Sequence, residues 1–205
     1  MTRILSIDVG IKNLGLCQLN YEDNNNDDIC EDVKIELLDS LDITQFIDIK
    51  KKMNANKIPI LLLARGLIKG LTDYSINLTN KIDYIIIENQ PFMKNPRMKS
   101  AQMIIFSFFV NKFLNNEDTD IRMFLPKNKL NVYTGPPVEC KLKSKYSQRK
   151  FKSIKYTEYM LLKYNSDFIT KFNNSKKKDD LADSYLQGIT FLNQLNKKKS
   201  KKLKI

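Results

Sequence analysis

Three consecutive isoleucines, Ile85, Ile86 and Ile87, preceded by Tyr84 and closed by Glu88, place the tightest constraint on what this chain can fold into. Successive side chains of a β-strand point to opposite faces, so three large β-branched residues in a row require a sheet covered on both sides. Such strands belong to parallel sheets sandwiched between helices. The neighbouring sequence agrees: helical spacing over 59–78, with Pro59 suited to a first turn, precedes the strand, and a helical stretch over 100–114 follows it. An α/β domain is the expected architecture.

The other elements extend that frame. Residues 3–9 read as a buried strand, Gly10 begins a turn, and 15–19 form a second strand, so a hairpin spans 3–20. Further strands are expected at 33–38 and 121–125, the latter closed by Pro126, and further helices at 44–53, 148–163 and 178–195. This order predicts a mixed five-stranded sheet flanked by helices on both faces. One domain covers 1–196. It carries an acidic, Asn-rich solvated loop at 22–32 and a mobile basic loop at about 131–147 that contains Gly135, Pro136 and Pro137. Residues 197–205 form a basic, disordered tail.

Composition removes several functions. The chain of 205 residues has no histidine, which excludes Ser-His-Asp and Cys-His catalysis, His-ligated zinc and an imidazole base. Hydrolysis, if it occurs, is metal-assisted. Cys17, Cys30 and Cys140 are odd in number and lack metal-ligand spacing, and no secretory leader is visible, so bystander thiols in a reducing intracellular compartment are expected. No apolar run reaches the roughly 18 residues that span a bilayer. Six of the twelve net positive charges are tail lysines, which leaves a body that is still basic and implies an anionic partner.

Carboxylates break the apolar pattern at three places. Asp8 lies near the end of the first strand, Glu88 ends the isoleucine strand, and Asp179, Asp180 and Asp183 open the last helix. A buried carboxylate costs several kcal/mol unless a partner or a metal compensates it. With the central strands side by side, Asp8 and Glu88 converge at one sheet edge, and Asp180 and Asp183, spaced i, i+3, share a helix face above them. Four carboxylates in one pocket select hard cations, Mg²⁺ or Mn²⁺. Two such ions about 3.5 to 4 Å apart can activate water and stabilise the leaving oxygen of a phosphodiester. Taken alone, Asp179 and Asp180 are also ordinary helix caps.

Three segments, Ser6-Ile7-Asp8-Val9-Gly10-Ile11-Lys12-Asn13 with Gly15, Ile86-Ile87-Glu88-Asn89-Gln90-Pro91, and Lys178-Asp179-Asp180-Leu181-Ala182-Asp183-Ser184, occur in an order that resembles the RuvC-like Holliday junction resolvases. The similarity is to the branch found in poxviruses, other large DNA viruses and fungal mitochondria. It covers residues 3 to about 192. The resemblance implies a ribonuclease H-like fold, a homodimer, and Mg²⁺-dependent nicking of two opposed strands of a four-way DNA junction, leaving 5′-phosphate and 3′-hydroxyl ends. It also implies that Asp8, Glu88, Asp180 and Asp183 are the metal-binding catalytic carboxylates, Asp180 being preferred to Asp179 by the Asp-x-x-Asp spacing. Basic residues near the scissile phosphate are expected on the preceding helix, with Lys150 and Lys152 as the choices.

Eight Lys or Arg residues stand against one acid over 141–163, the densest charge outside the tail, and read as a phosphate-neutralising surface. Lys143, Lys145, Arg149, Lys150, Lys152 and Lys155 are its DNA-contact candidates. After Glu88, Gln90, Phe92, Lys94 and Arg97 lie in a Pro-flanked segment expected to project beside the metals, where the resemblance casts Phe92 as a wedge against opened junction bases. The helix over 100–114 is apolar nearly all round, so either the core or a second subunit covers its far face.

The expected partners are therefore branched DNA and a second copy of the chain, with no membrane and no small-molecule cofactor. A hybrid-cleaving ribonuclease and a non-cleaving branched nucleic-acid binder remain the alternatives. A viral chain would work in a cytoplasmic factory or the nucleus; the absence of an Arg-rich amphipathic leader argues against mitochondrial import.

Overall fold

The computed structural model describes residues 1–24, 26, 28–48, 53–75, 78, 81–93, 95–115 and 118–202, with 198–202 described by their backbone alone. Five strands, β1 (Thr2–Asp8), β2 (Asn13–Tyr21), β3 (Val33–Asp42), β4 (Tyr84–Glu88) and β5 (Asp120–Phe124), form one sheet in the order β3-β2-β1-β4-β5. The first three are antiparallel neighbours, whereas β1 pairs parallel with β4 and β4 with β5. The mixed sheet expected from the sequence is thus present, with the isoleucine strand central and buried.

Alternation along the strands divides the core into two layers. Ile4 and Ile86 face α3 (Lys145–Tyr164), α4 (Ile169–Asn174) and α5 (Lys178–Lys202), in a layer filled by Leu19, Met160, Phe172, Tyr185 and Ile189. Leu5, Ile7, Ile85 and Ile87 face α1 (Ile60–Ser75) and α2 (Pro96–Lys112), and pack with Leu67, Leu71, Ala101, Ile105 and Phe109. Ile86 is fully buried in the first layer, so Ile86→Ala should cost about 2 to 5 kcal/mol of stability. Urea unfolding measures it; a loss below about 1 kcal/mol would mean that the site collapses around the smaller side chain.

Three expectations need correction. No α-helix occupies the described part of 44–53: Ile43–Phe46 is a single 3-10 turn capped by Asp42, and Ile47 is extended. Ile43 is fully buried and Ile47 lies on the glycine face of α1 at Gly66, so tertiary packing of β-branched residues overrides the local helical spacing. The last helix continues past 195 to Lys202, so the first tail lysines extend α5 instead of forming a separate coil; residues 203–205 lie outside the described residues. Third, the acidic loop is not merely a solvated connection. Ile29–Asp32 forms a 3-10 turn with Cys30 and Asp32 buried, and Asp28 accepts hydrogen bonds from Tyr164 Oη at 2.7 Å and Thr134 Oγ1 at 3.0 Å. Those bonds tie the loop to the end of α3 and to the base of the basic loop. Among the described residues no helix is long and apolar enough to cross a membrane.

Candidate active site

The sheet register brings the first two carboxylates together. Ile7 pairs with Ile87, so Asp8 and Glu88 follow at the carboxyl ends of adjacent parallel strands. Both have the parity of Ile4, Ser6 and Ile86, which places them on the α5 side. Helix α5 is fixed over that edge by Ser6 Oγ, which donates to the Ser184 carbonyl at 2.7 Å, and by Gln187 Nε2, which donates to the Ile7 carbonyl at 3.1 Å. Asp180 and Asp183 sit one turn before these anchors, above Asp8. The approach is close: a Cβ at Gly15 would overlap the Asp180 carbonyl and lie 3.2 Å from Asp8 Cβ. Only glycine leaves room for the start of α5 on β2. Gly10 serves the turn, since a Cβ there would overlap the Asn13 carbonyl.

The electrostatics follow from this crowding. Burial and then the charges of Glu88 and Asp183 push the Asp8 carboxyl well above the usual range, and Lys129 only partly offsets them. Asp180 is raised to about 6, by burial first and then by Asp179 and Asp183 against the pull of Lys177 and Lys150. Asp183 Oδ1 accepts from Lys129 Nζ at 2.9 Å and from Ser153 Oγ on α3 at 2.6 Å. Burial works against the Lys129 charge, but Asp183, Asp8 and Glu88 outweigh it and hold the ammonium above its ordinary value. Asp179 stands apart. Burial would raise it, yet its ion pair with Lys150 at 2.5 Å keeps it below the usual carboxylate range.

A folded pKa near 6 against about 3.9 in the unfolded chain means that the native metal-free protein binds the Asp180 proton more tightly. That contribution is fully present below the unfolded value and is lost as pH rises through about 6. Metal-free protein should therefore be more stable at pH 5 than at pH 7.5, and Asp180→Asn should reduce the difference without removing it, because Asp8 is raised as well. Below about pH 4 the trend reverses as Asp28 and Asp179, both held low, take up protons. Denaturant unfolding in EDTA at the two pH values measures it; equal stability would contradict the burial of Asp180.

Second-layer contacts orient the site. Gln90 Nε2 donates to Glu88 Oε2 at 2.6 Å, while the Gln90 backbone N–H donates to Oε1 of the fully buried Gln102 at 2.9 Å. Lys99 Nζ joins the same Gln102 oxygen at 3.1 Å and Asn89 Oδ1 at 3.0 Å. Beyond Gln90 the chain turns outward, with Phe92 66% exposed. Arg97 is partly buried, and its Nη2 donates to the Ile58 carbonyl, so it fastens the start of α2. Lys94 lies outside the described residues.

Among the basic candidates, Lys143, Lys145, Arg149 and Lys155 are exposed, and Lys150 and Lys152 are half-buried. Lys155 pairs with Glu158 at 2.7 Å, and Lys150, engaged with Asp179, lies 5.2 Å from the centre of the exposed Tyr146 ring. Lys129, which the sequence reading missed, is in contact with Asp183 of the carboxylate cluster. Its signal was available: Lys129 follows the end of β5, which is parallel to β4 and therefore reaches the same sheet edge as Glu88. Asn128, at φ 58° in the left-handed region, turns the chain there. Ser153 and Gln102 were also missed.

The donor set is chemically suited to a hard divalent cation: four carboxylates, no sulfur, no imidazole. Among the described residues no three of these side chains stand together as a closed ligand set; Asp183 is engaged by Lys129 and Ser153.

Solved structures share this fold, a mixed β3-β2-β1-β4-β5 sheet flanked by helices. The chain superposes on the fowlpox virus resolvase in complex with substrate Holliday junction DNA, with a TM-score of 0.57 and 24% identity over 95% of this chain and 99% of that one. It also superposes on Thermus thermophilus RuvC in complex with Holliday junction substrate, with a TM-score of 0.51 and 8% identity over 93% and 92%. The sequence places it more narrowly: the chain belongs to the Poxvirus A22 protein family, whose profile matches residues 2–197. It is 26% identical over 200 residues to the Holliday junction resolvase of Fowlpox virus (strain NVSL), covering 95% of each protein. It is 34% identical over 155 residues to an uncharacterised protein of Acanthamoeba polyphaga mimivirus, a match that covers 69% of this chain and 37% of that protein.

Proposed function

We propose that this chain is a structure-selective endonuclease that resolves four-way DNA junctions by metal-dependent hydrolysis. The observation that carries the reading is the gathering of Asp8, Glu88, Asp180 and Asp183 at one sheet edge, in a chain matched end to end by a relative named for junction resolution. Asp8, Glu88 and Asp183, from three elements, and Asp180, one turn before Asp183, are the residues that would hold the metal. Mg²⁺ or Mn²⁺, if held there, would supply Lewis acidity at the scissile phosphate and activate the attacking water. The protein's own share is positional. Gln90 orients Glu88, Ser153 orients Asp183, and Gly15 lets α5 approach Asp8. Hydrolysis of the 3′ P–O bond leaves 5′-phosphate and 3′-hydroxyl ends.

Lys150 on α3 pairs with Asp179 beside the site and Lys152 lies on the same helix; of Lys129, Lys150 and Lys152, Lys129 is the one in contact with a carboxylate of the cluster. Lys143, Lys145 and Arg149 extend a basic surface for the DNA backbone, and the exposed Phe92 is available for contact with unstacked bases. Arg149→Ala should weaken junction binding and reduce the salt slope by about one, without abolishing cleavage at saturating enzyme. An unchanged slope would remove Arg149 from the contact surface.

Two opposed nicks require two sites, which a homodimer supplies. The outer faces of α1 and α2 are suited to self-association: Ile68 and Met103 are exposed beside a groove also lined by Ile104 and Phe108. The test is incubation with a labelled mobile four-way junction, a linear duplex and an RNA–DNA hybrid, in Mg²⁺ and in EDTA. Symmetric nicks on the junction alone, lost in EDTA, are expected. Preferential cutting of the hybrid would make the protein a ribonuclease, and binding without cutting a junction-binding protein.

A further inference from the structure

We propose that Asp28, Tyr133 and Thr134 are positioning residues for junction binding: they clasp the far end of the basic loop to the second half of α3, so that the loop lies along this helix as a strap and presents its lysines in one surface with Arg149. This rests on the reading of that surface as the DNA contact. The clasp has two halves. The Tyr133 ring stacks on that of Tyr156, with centroids 3.8 Å apart and planes 1° from parallel, and stands nearly perpendicular to Tyr159 at 5.5 Å. In the second half, Asp28 Oδ2 accepts hydrogen bonds from both Thr134 Oγ1 at 3.0 Å and Tyr164 Oη at 2.7 Å, while its Oδ1 accepts from the Cys30 N–H at 3.0 Å. The turn that follows is closed by Tyr133 Oη, which donates to the Pro136 carbonyl at 2.8 Å.

The clasp sets the course of the chain beyond it. At 1.5 Å per residue, Tyr156 and Tyr159 lie about 16 to 21 Å along α3 from its first residue, Lys145. Residues 137–144, which return the chain to that start, reach at most about 29 Å, so they are drawn out along the helix. Val138 and Cys140 are half-buried whereas Glu139 and Lys141 are exposed, the alternation of an extended segment with one side on the protein. At the near end, Gln148 Nε2 donates to the Leu142 carbonyl at 2.6 Å and Ser144 caps α3. A loop fastened at both ends holds Lys141 and Lys143 exposed next to Lys145 and Arg149. Without the clasp the same cations sit on a loop with one fixed end, and the entropy lost in ordering it is subtracted from binding. Loss of the clasp therefore weakens junction binding while every phosphate-neutralising charge stays in place, so the salt slope is unchanged. Loss of a cation lowers the slope.

Cys140 lies in the strap and is half-buried, whereas Cys17 and Cys30 are buried, so a nitroxide attached to Cys140 reports the strap's mobility by electron paramagnetic resonance. The experiment compares wild type, Tyr133→Leu, Tyr133→Phe and Thr134→Val by this signal. The unlabelled proteins are compared by binding to a labelled four-way junction in EDTA over a range of salt. The expected result for Tyr133→Leu is a freed nitroxide and binding about tenfold weaker at an unchanged salt slope. Thr134→Val should lose about threefold in the same way, and Tyr133→Phe, which keeps the stack, should stay within about twofold of wild type. Thr134 is exposed, so its replacement leaves the core intact and decides the matter even where Tyr133→Leu fails to fold. A freed nitroxide at unchanged junction affinity overturns the proposal, as does a Tyr133→Phe variant as weak as Tyr133→Leu. Wild type with an immobile nitroxide that leaves the junction unbound overturns the reading of the surface instead, so the two failures are told apart.

Discussion

Asp183→Asn should abolish junction cleavage, by at least about a thousandfold, while leaving the fold and junction binding in place. Asp183 is the carboxylate on which the site's contacts meet: Lys129 and Ser153 share its Oδ1, and its charge raises both Asp8 and Asp180. Asparagine keeps the shape and can still accept from Ser153, so packing under the start of α5 survives. It removes the charge needed to hold a hard cation opposite Asp8. Because one of several mutually repelling carboxylates is lost, the metal-free variant should melt no lower than wild type. Single-turnover cleavage and thermal unfolding together check the prediction. A variant that still cuts within tenfold of wild type would take Asp183 out of the catalytic set.

Gly15→Ala should damage the reaction almost as much from outside the reacting atoms. The new methyl group would overlap the Asp180 carbonyl and press on Asp8 Cβ, and both are fixed by backbone that cannot swing aside. Relief requires the first turn of α5 to lift from β2, which moves Asp180 and Asp183 away from Asp8. A displacement of about 1 Å at a site of this kind costs on the order of a hundredfold in rate, and overpacking costs about 1 to 3 kcal/mol of stability. Gly188→Ala is the control. It also places a methyl under α5, but against Leu19 Cδ1 at 2.6 Å, the movable end of a side chain, and two turns beyond Asp180. That variant should lose stability and keep its turnover when folded. If the two variants lose activity in proportion to stability alone, the glycine at 15 is a packing feature and nothing more.

The parts of this molecule legible in the sequence are those where local pattern and tertiary role coincide. Ile85, Ile86 and Ile87 specify a strand buried on both faces whatever surrounds them, and the acid at its end lies beside Asp8 as the spacing predicts. Residues 44–53 show the opposite case: their helical spacing is real, but Ile43 and Ile47 gain more by packing on α1 beside Gly66 than by continuing a helix. The final helix outran its expected end because the apolar stripe stops before Lys197, whereas backbone hydrogen bonding carries on through lysines that favour helix.

Lys129 was hidden for a different reason. Charge density drew attention to α3, where Lys150 is numerically prominent, yet Lys150 answers Asp179, which the spacing had already set aside. The lysine in contact with Asp183 comes from a short connection after β5, and its significance appears only once β5 is known to lie parallel to β4. Gln102 is similar: a glutamine on an apolar helix carries no distinguishing pattern, and its position behind Gln90 and Glu88 is a property of the fold.

Cleavage of a supercoiled plasmid that extrudes a cruciform tests the central proposal, paired metal-dependent hydrolysis at a four-way junction, most directly. Wild-type protein in Mg²⁺ should convert it to linear DNA with ends at the cruciform, through near-simultaneous opposed nicks, and should leave a plasmid without the cruciform supercoiled. EDTA or Asp183→Asn should leave both plasmids supercoiled. Nicked circles without linear product, or equal cutting of both plasmids, would contradict junction resolution by this site.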